Sequence, residues 1–157
     1  MTTNPYLLAQ ADVRPCISHR TIAVGAFTFA QQPQDDEIAK VVDGGLHLTS
    51  SDSYFYPLVR LESHSREPNG QPADQWDYVR VFRNAAVEGH LSVAALFDAP
   101  CPGLELPPGP YDLRVQCRGR DHTPAMELFG EVPTEEPHED PLEHWLIQLW
   151  PASQPTA

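Results

Sequence analysis

Carboxylates crowd the last quarter of the chain in a pattern suited to electrostatic work. From Asp121 onward there is no lysine or arginine, yet Asp121, Glu127, Glu131, Glu135, Glu136, Glu139, Asp140 and Glu143 follow one another. Those eight charges are two-thirds of the formal net charge of −12. A block of like charge reads either as a solvated loop or as an interaction segment. A protein that presents carboxylates where an enzyme expects phosphates gains fast association by long-range attraction. The partner-binding expectation therefore falls on Glu131, Glu135, Glu136, Glu139, Asp140 and Glu143. Asp35, Asp36 and Glu37 in the polar stretch QQPQDDEIAK, which reads as ending in one helical turn, form a second set.

Other chemistry is weakly encoded. His138, Glu139, Glu143 and His144 could be imagined around a metal, but their spacing is neither a helical His-x-x-x-His pair nor a finger pattern. They are expected to be solvated loop residues, and no metal or cofactor is expected. Cys16, Cys101 and Cys117 form no CxxC and sit in no activating context, so reduced thiols are expected, with Cys117 in a buried strand. There is no Gly-x-Ser-x-Gly elbow, phosphate loop or dinucleotide fingerprint. Carboxylate pairs are uninformative in so acidic a chain. The expectation is a protein that is not an enzyme. Arg114, Arg118 and Arg120 cluster near one strand end, and at this net charge pairing with neighbouring acids is expected rather than phosphate binding. The same charge repels nucleic acid and anionic membranes.

The elements that must carry these residues read as strands. In SHRTIAVGAFTF, Ile22, Val24 and Ala26 alternate against Thr21 and Ala23, GGLHLTSSD puts Leu46 and Leu48 on one face, and YFYPLVRLE is apolar on both sides. DYVRVFRNA and VEGHLSVAALF follow as two tightly joined strands, the second with Val87, Leu91, Val93, Ala95 and Phe97 on one face. In PYDLRVQCR, Tyr111, Leu113, Val115 and Cys117 alternate with Asp112, Arg114, Gln116 and Arg118, a clear period of two. WLIQLW near the end is apolar on both faces except at Gln148, as expected of a strand inserted between two others. Seventeen prolines fit short strands joined by stiff turns, DAPCPG and Pro-Pro-Gly-Pro among them, better than a helical bundle.

One domain over 1–157 is expected: an all-β, antiparallel β-sandwich or open barrel of about seven to eight strands with little helix. Residues 1–15 read as an N-terminal arm, 121–143 as an acidic, proline-rich loop, and 144–150 as the closing strand. The N-terminus lacks the pattern of a signal peptide and no run suits a membrane helix, so the expected location is cytoplasmic.

The order ISHRTIAVGAFTF, GGLHLTS, YFYPLVRLE, LPPGPYDLRVQC and a final apolar strand resembles the competence protein J family, across roughly residues 16 to 150. That resemblance implies a small bacterial protein without enzymatic activity that inhibits a DNA-degrading nuclease or neutralises a toxin. No family site residues carry over onto this chain, and the Pro/Glu stretch 130–143 departs from the family pattern. The partner implied is a basic protein. The alternative is a small-molecule or carbohydrate-binding sandwich using Trp76, Tyr54 or Tyr56 as a stacking platform.

Overall fold

The structure, a computed structural model, describes residues 6–15, 21–25, 38–42, 45–50, 57–69, 75–87, 89–95, 101–119 and 143–152. Ten strands run through them: β1 (Leu7–Val13), β2 (Thr21–Gly25), β3 (Ala39–Val42), β4 (Gly45–Thr49), β5 (Leu58–His64), β6 (Tyr78–Val87), β7 (His90–Ala95), β8 (Cys101–Glu105), β9 (Gly109–Arg118) and β10 (His144–Pro151). They form two five-stranded open sheets, ordered β1-β5-β10-β9-β6 and β3-β4-β2-β7-β8. The architecture is an all-β sandwich.

β10 holds the first sheet together. It pairs antiparallel with β9, matching Trp145 to Cys117, Ile147 to Val115 and Leu149 to Leu113. On its other side it runs parallel to β5, matching Trp145 to Val59 and Ile147 to Leu61. The parallel pair is an exception to an otherwise antiparallel plan. Every residue from Trp145 to Trp150 is buried, which explains an apolar run so close to the chain end. Inward residues of both sheets meet in one core, with Ile22, Val24, Leu46, Leu48, Leu91 and Val93 facing Leu61, Leu113, Val115, Trp145 and Ile147.

Three strands stand where the sequence suggested something else. β1 lies in the expected arm, where LLAQADV alternates in burial and pairs antiparallel with β5. β3 takes the place of an expected helical turn and pairs with β4. β8 lies in the DAPCPG turn region. It is an edge strand, where Pro102 removes no essential ladder bond, and its register against β7 shifts between Leu91 and Ser92. Gly45 is required where β2 and β4 approach closely, because a Cβ there would strike the carbonyl of Val24. The stiff turn before β9 is pinned by Tyr111, whose hydroxyl donates to the carbonyl of Pro107.

Candidate functional site

The charge of the chain is unevenly placed. The described residues hold eight of the ten basic residues and only seven of the 22 acids, a formal +1. The other two basic residues and fifteen acids, a formal −13, lie outside the described residues. The described sandwich is thus close to neutral, and the negative charge of the protein resides in the rest of its sequence. Of the expected partner-binding residues, Glu131, Glu135, Glu136, Glu139, Asp140, Asp35, Asp36 and Glu37 lie outside the described residues.

Glu143 is inside the fold, which corrects its assignment to a solvated acidic surface. Its side chain is 1% exposed. Trp145 Nε1 donates to Oε1 at 2.6 Å, and Ser50 Oγ donates to Oε2 at 3.1 Å. Its backbone carbonyl accepts from Leu58 N at 3.0 Å. The carboxylate therefore fastens the start of β10 to the end of β4, with its backbone on the start of β5. A charge buried this deeply needs such donors, and both oxygens are committed to them.

His144, the next residue, begins β10 and is half-buried rather than solvated. Arg118 Nη2 donates to its Nδ1 at 2.9 Å, so the neutral ring carries its proton on Nε2. Burial, then the guanidinium charges of Arg118 and Arg60, push its pKa down to about 4, with Asp12 opposing. Trp76 meets this histidine edge-on, with ring centroids 5.6 Å apart, and the Arg118 guanidinium lies 5.3 Å from the indole centroid. The indole expected as a sugar platform is thus already packed against protein groups. Tyr54 and Tyr56 lie outside the described residues.

The outward face of the β5-β10-β9 triplet bears an array that sequence reasoning did not assemble. Arg114 Nη1 and Gln116 Nε2 both donate to Gln148 Oε1 at 3.2 Å, and Gln148 Nε2 donates to Glu62 Oε1 at 3.0 Å. His64 Nε2 lies 3.0 Å from the same carboxylate oxygen. Arg114 also reaches out to the following loop, donating to the Pro68 carbonyl at 3.2 Å and to Glu67 Oε1 at 3.4 Å. Arg83 bridges Asp112 at 3.0 Å and Glu67 at 3.6 Å. Four of these groups, Gln116, Gln148, His64 and Asp112, are at most 5% exposed. The array is a buried, interlinked polar layer that fixes strand register and straps residues 67 and 68 onto the sheet, with His64 Nδ1 its one buried atom left without a partner among the described residues. The lone Gln148 in an apolar strand and the Arg114–Gln116 alternation were its sequence signals. Their common partners are distant in the chain and could not be read from spacing.

The Arg114–Arg118 cluster divides accordingly. Arg114 is spent in the polar layer, Arg118 on His144 and Trp76, and Arg120 lies outside the described residues. Asp12 and Arg60, which no motif marked, form a bidentate pair at 2.7 and 3.0 Å that holds the Asp12 carboxyl below its ordinary pKa. Cys101 is half-buried and Cys117 fully buried, and neither is bridged. Between the sheets, Val24, Leu46, Leu91, Leu113, Ile147 and their neighbours line an apolar cavity of only about 10 Å³. That is room for about one water, far below a ligand pocket.

No protein-family model matches this chain, and no curated protein matches it. Its fold does have relatives among solved structures. The crystal structure of ComJ, inhibitor of the DNA-degrading activity of NucA, from Bacillus subtilis, superposes with a TM-score of 0.55 at 12% identity. That match covers 93% of this chain and 97% of the other. A structure named Crocagin biosynthetic gene J gives the same TM-score at 17% identity, covering 92% of this chain and 99% of its own. Both likenesses run nearly end to end, at identities that speak for the fold alone. The chain has the fold of the competence protein J family.

Proposed function

We propose that this protein is a non-enzymatic inhibitor that docks on a basic, DNA-degrading nuclease through its acidic connecting segments. The observation that carries this reading is the separation of charge: a formal +1 over the described residues of the sandwich and a formal −13 over the remaining residues. A rigid framework that displays carboxylates on its connections suits competition with a phosphate backbone for a basic cleft. The fold likeness to a nuclease inhibitor over almost the whole of both chains supports it. Glu131, Glu135, Glu136, Glu139 and Asp140 are the first candidates for the contact, and Asp35, Asp36 and Glu37 the second. Glu143 acts from within, anchoring the C-terminal end of the tract to the core.

The test is affinity capture. Immobilised protein should deplete DNA-degrading activity from an extract of its own host, and elution with salt should return that activity with a basic protein. Full retention of the activity in the flow-through would contradict the proposal.

A further inference from the structure

β6 is the outer strand of its sheet, bonded to β9 on one side and to no strand on the other among the described residues. An edge strand turns alternate N–H and C=O groups toward solvent, and so offers a ladder to an incoming strand. Proteins blunt such edges, and β6 carries two guards. Arg80 stands in register with the core residue Val115, and the ladder breaks between Phe82 and Ala85, where Asn84 adopts a left-handed φ of 58°. Yet the stretch between Tyr78 and the break is also apolar and open. Val79 and Val81, 49% and 37% exposed, sit two apart on the outward face, and the other large exposed apolar side chain described is Leu8 on the opposite edge of the sheet.

The charge decides what this edge admits. β6 has no carboxylate among its ten residues and carries Arg80 and Arg83 in a chain of net −12. Arg83 is held by Asp112 and Glu67. Arg80 has no carboxylate partner among the described residues. It lies over the Phe82 ring at 4.6 Å and touches the Ala39 carbonyl only at 3.5 Å. A second copy of β6 paired antiparallel about Arg80, the register that matches Val79 with Val81, would bring two Arg80 side chains together, which like-charge repulsion opposes. A strand bearing glutamate or aspartate opposite Arg80 would turn the same guard into an attraction. The device that excludes self-pairing therefore selects an acidic strand.

We propose that the free edge of β6 from Val79 to Phe82 receives an extended segment of a partner protein, with alternating acidic and apolar residues, by strand addition. The acidic residues face Arg80, and the apolar ones continue the Val79–Val81 row on the outward face. This surface includes none of the acidic residues proposed for nuclease docking and does not depend on that reading.

The experiment uses the full chain and a short blocked peptide alternating glutamate with valine. Fluorescence anisotropy of the labelled peptide reads binding, and amide hydrogen exchange reads where it binds. Saturable binding that slows exchange along Val79–Phe82 is expected. It should weaken about tenfold or more in Arg80→Glu and persist in Arg80→Lys. A lysine–valine peptide and a backbone N-methylated glutamate–valine peptide should both fail to bind. The proposal is overturned if the wild-type chain ignores the glutamate–valine peptide, if the lysine and glutamate peptides bind alike, or if Arg80→Glu leaves binding unchanged. Concentration-dependent protection of β6 without any peptide would also overturn it, by making a second copy the occupant.

Discussion

Replacing Glu143 with alanine separates its two readings, as a surface charge and as an internal anchor. The side chain is 1% exposed and accepts from Trp145 Nε1 at 2.6 Å and Ser50 Oγ at 3.1 Å. Trp145 and Ser50 are themselves fully buried, so Glu143→Ala leaves two donors without that acceptor and without water. A stranded buried donor costs about 1–3 kcal/mol, and the serine hydroxyl can turn to another acceptor while the indole N–H cannot. The expected loss is about 3 kcal/mol, which in a domain of this size lowers Tm by about 6–12 °C. Glu143→Gln keeps one oxygen for the indole and should lose only about 1 kcal/mol. Urea unfolding followed by tryptophan fluorescence measures both, since Trp145 sits at 0% exposure in the core. If Glu143→Ala unfolds within about 0.5 kcal/mol of the wild type, the anchor is wrong and the carboxylate rejoins the docking set.

Three further outcomes follow from the same geometry. Trp145→Ala should destabilise by about 3–5 kcal/mol, and deletion of 144–157 should abolish cooperative unfolding, because β10 is the strand between β5 and β9. A deletion variant that still melts cooperatively would make β10 an accessory. Neutral His144 is favoured in the folded state, so its contribution is complete above about pH 6.5 and is lost as pH falls toward about 4. His144→Gln should flatten the fall in urea stability across that window, and an unchanged slope would contradict the burial of the ring. Reversing Glu135, Glu136, Glu139 and Asp140 to lysine should change stability by less than about 0.5 kcal/mol while slowing capture of the nuclease partner. Wild-type capture kinetics in that variant would move the contact to Asp35, Asp36 and Glu37 or elsewhere.

Much of the fold was legible because side-chain periodicity and burial coincide. Tyr111, Leu113, Val115 and Cys117 alternate as written and face the core, and WLIQLW is buried on both faces as its composition demands. What escaped was local evidence pointing the wrong way or no evidence at all. Pro100 and Pro102 argue for a turn, but a sheet edge tolerates Pro102 within β8. β1 is a short alternation that gains meaning only from its pairing with β5. The parallel contact between β5 and β10 joins segments more than eighty residues apart, and no periodicity reports it. Glu143 looked like one more charge in an acidic run, since the inward turn that buries it depends on Ser50 and Trp145 being close in space. The polar layer around Gln148 left a trace in Gln148 and the Arg114–Gln116 alternation, but its joining depends on partners that are likewise close only in space. The acid-rich composition of the connections was plain from the sequence, whereas the near-neutrality of the strands emerged only once their boundaries were known.

The proposed function is inhibition of a nuclease by an electrostatically steered complex. Its most direct measurement is the residual DNA-degrading activity of the captured, purified nuclease as this protein is titrated in. Activity should fall to background at an equimolar ratio, and the rate of inhibition should drop steeply with added salt. Nuclease activity that persists at a large excess of the protein in low salt would rule out inhibition.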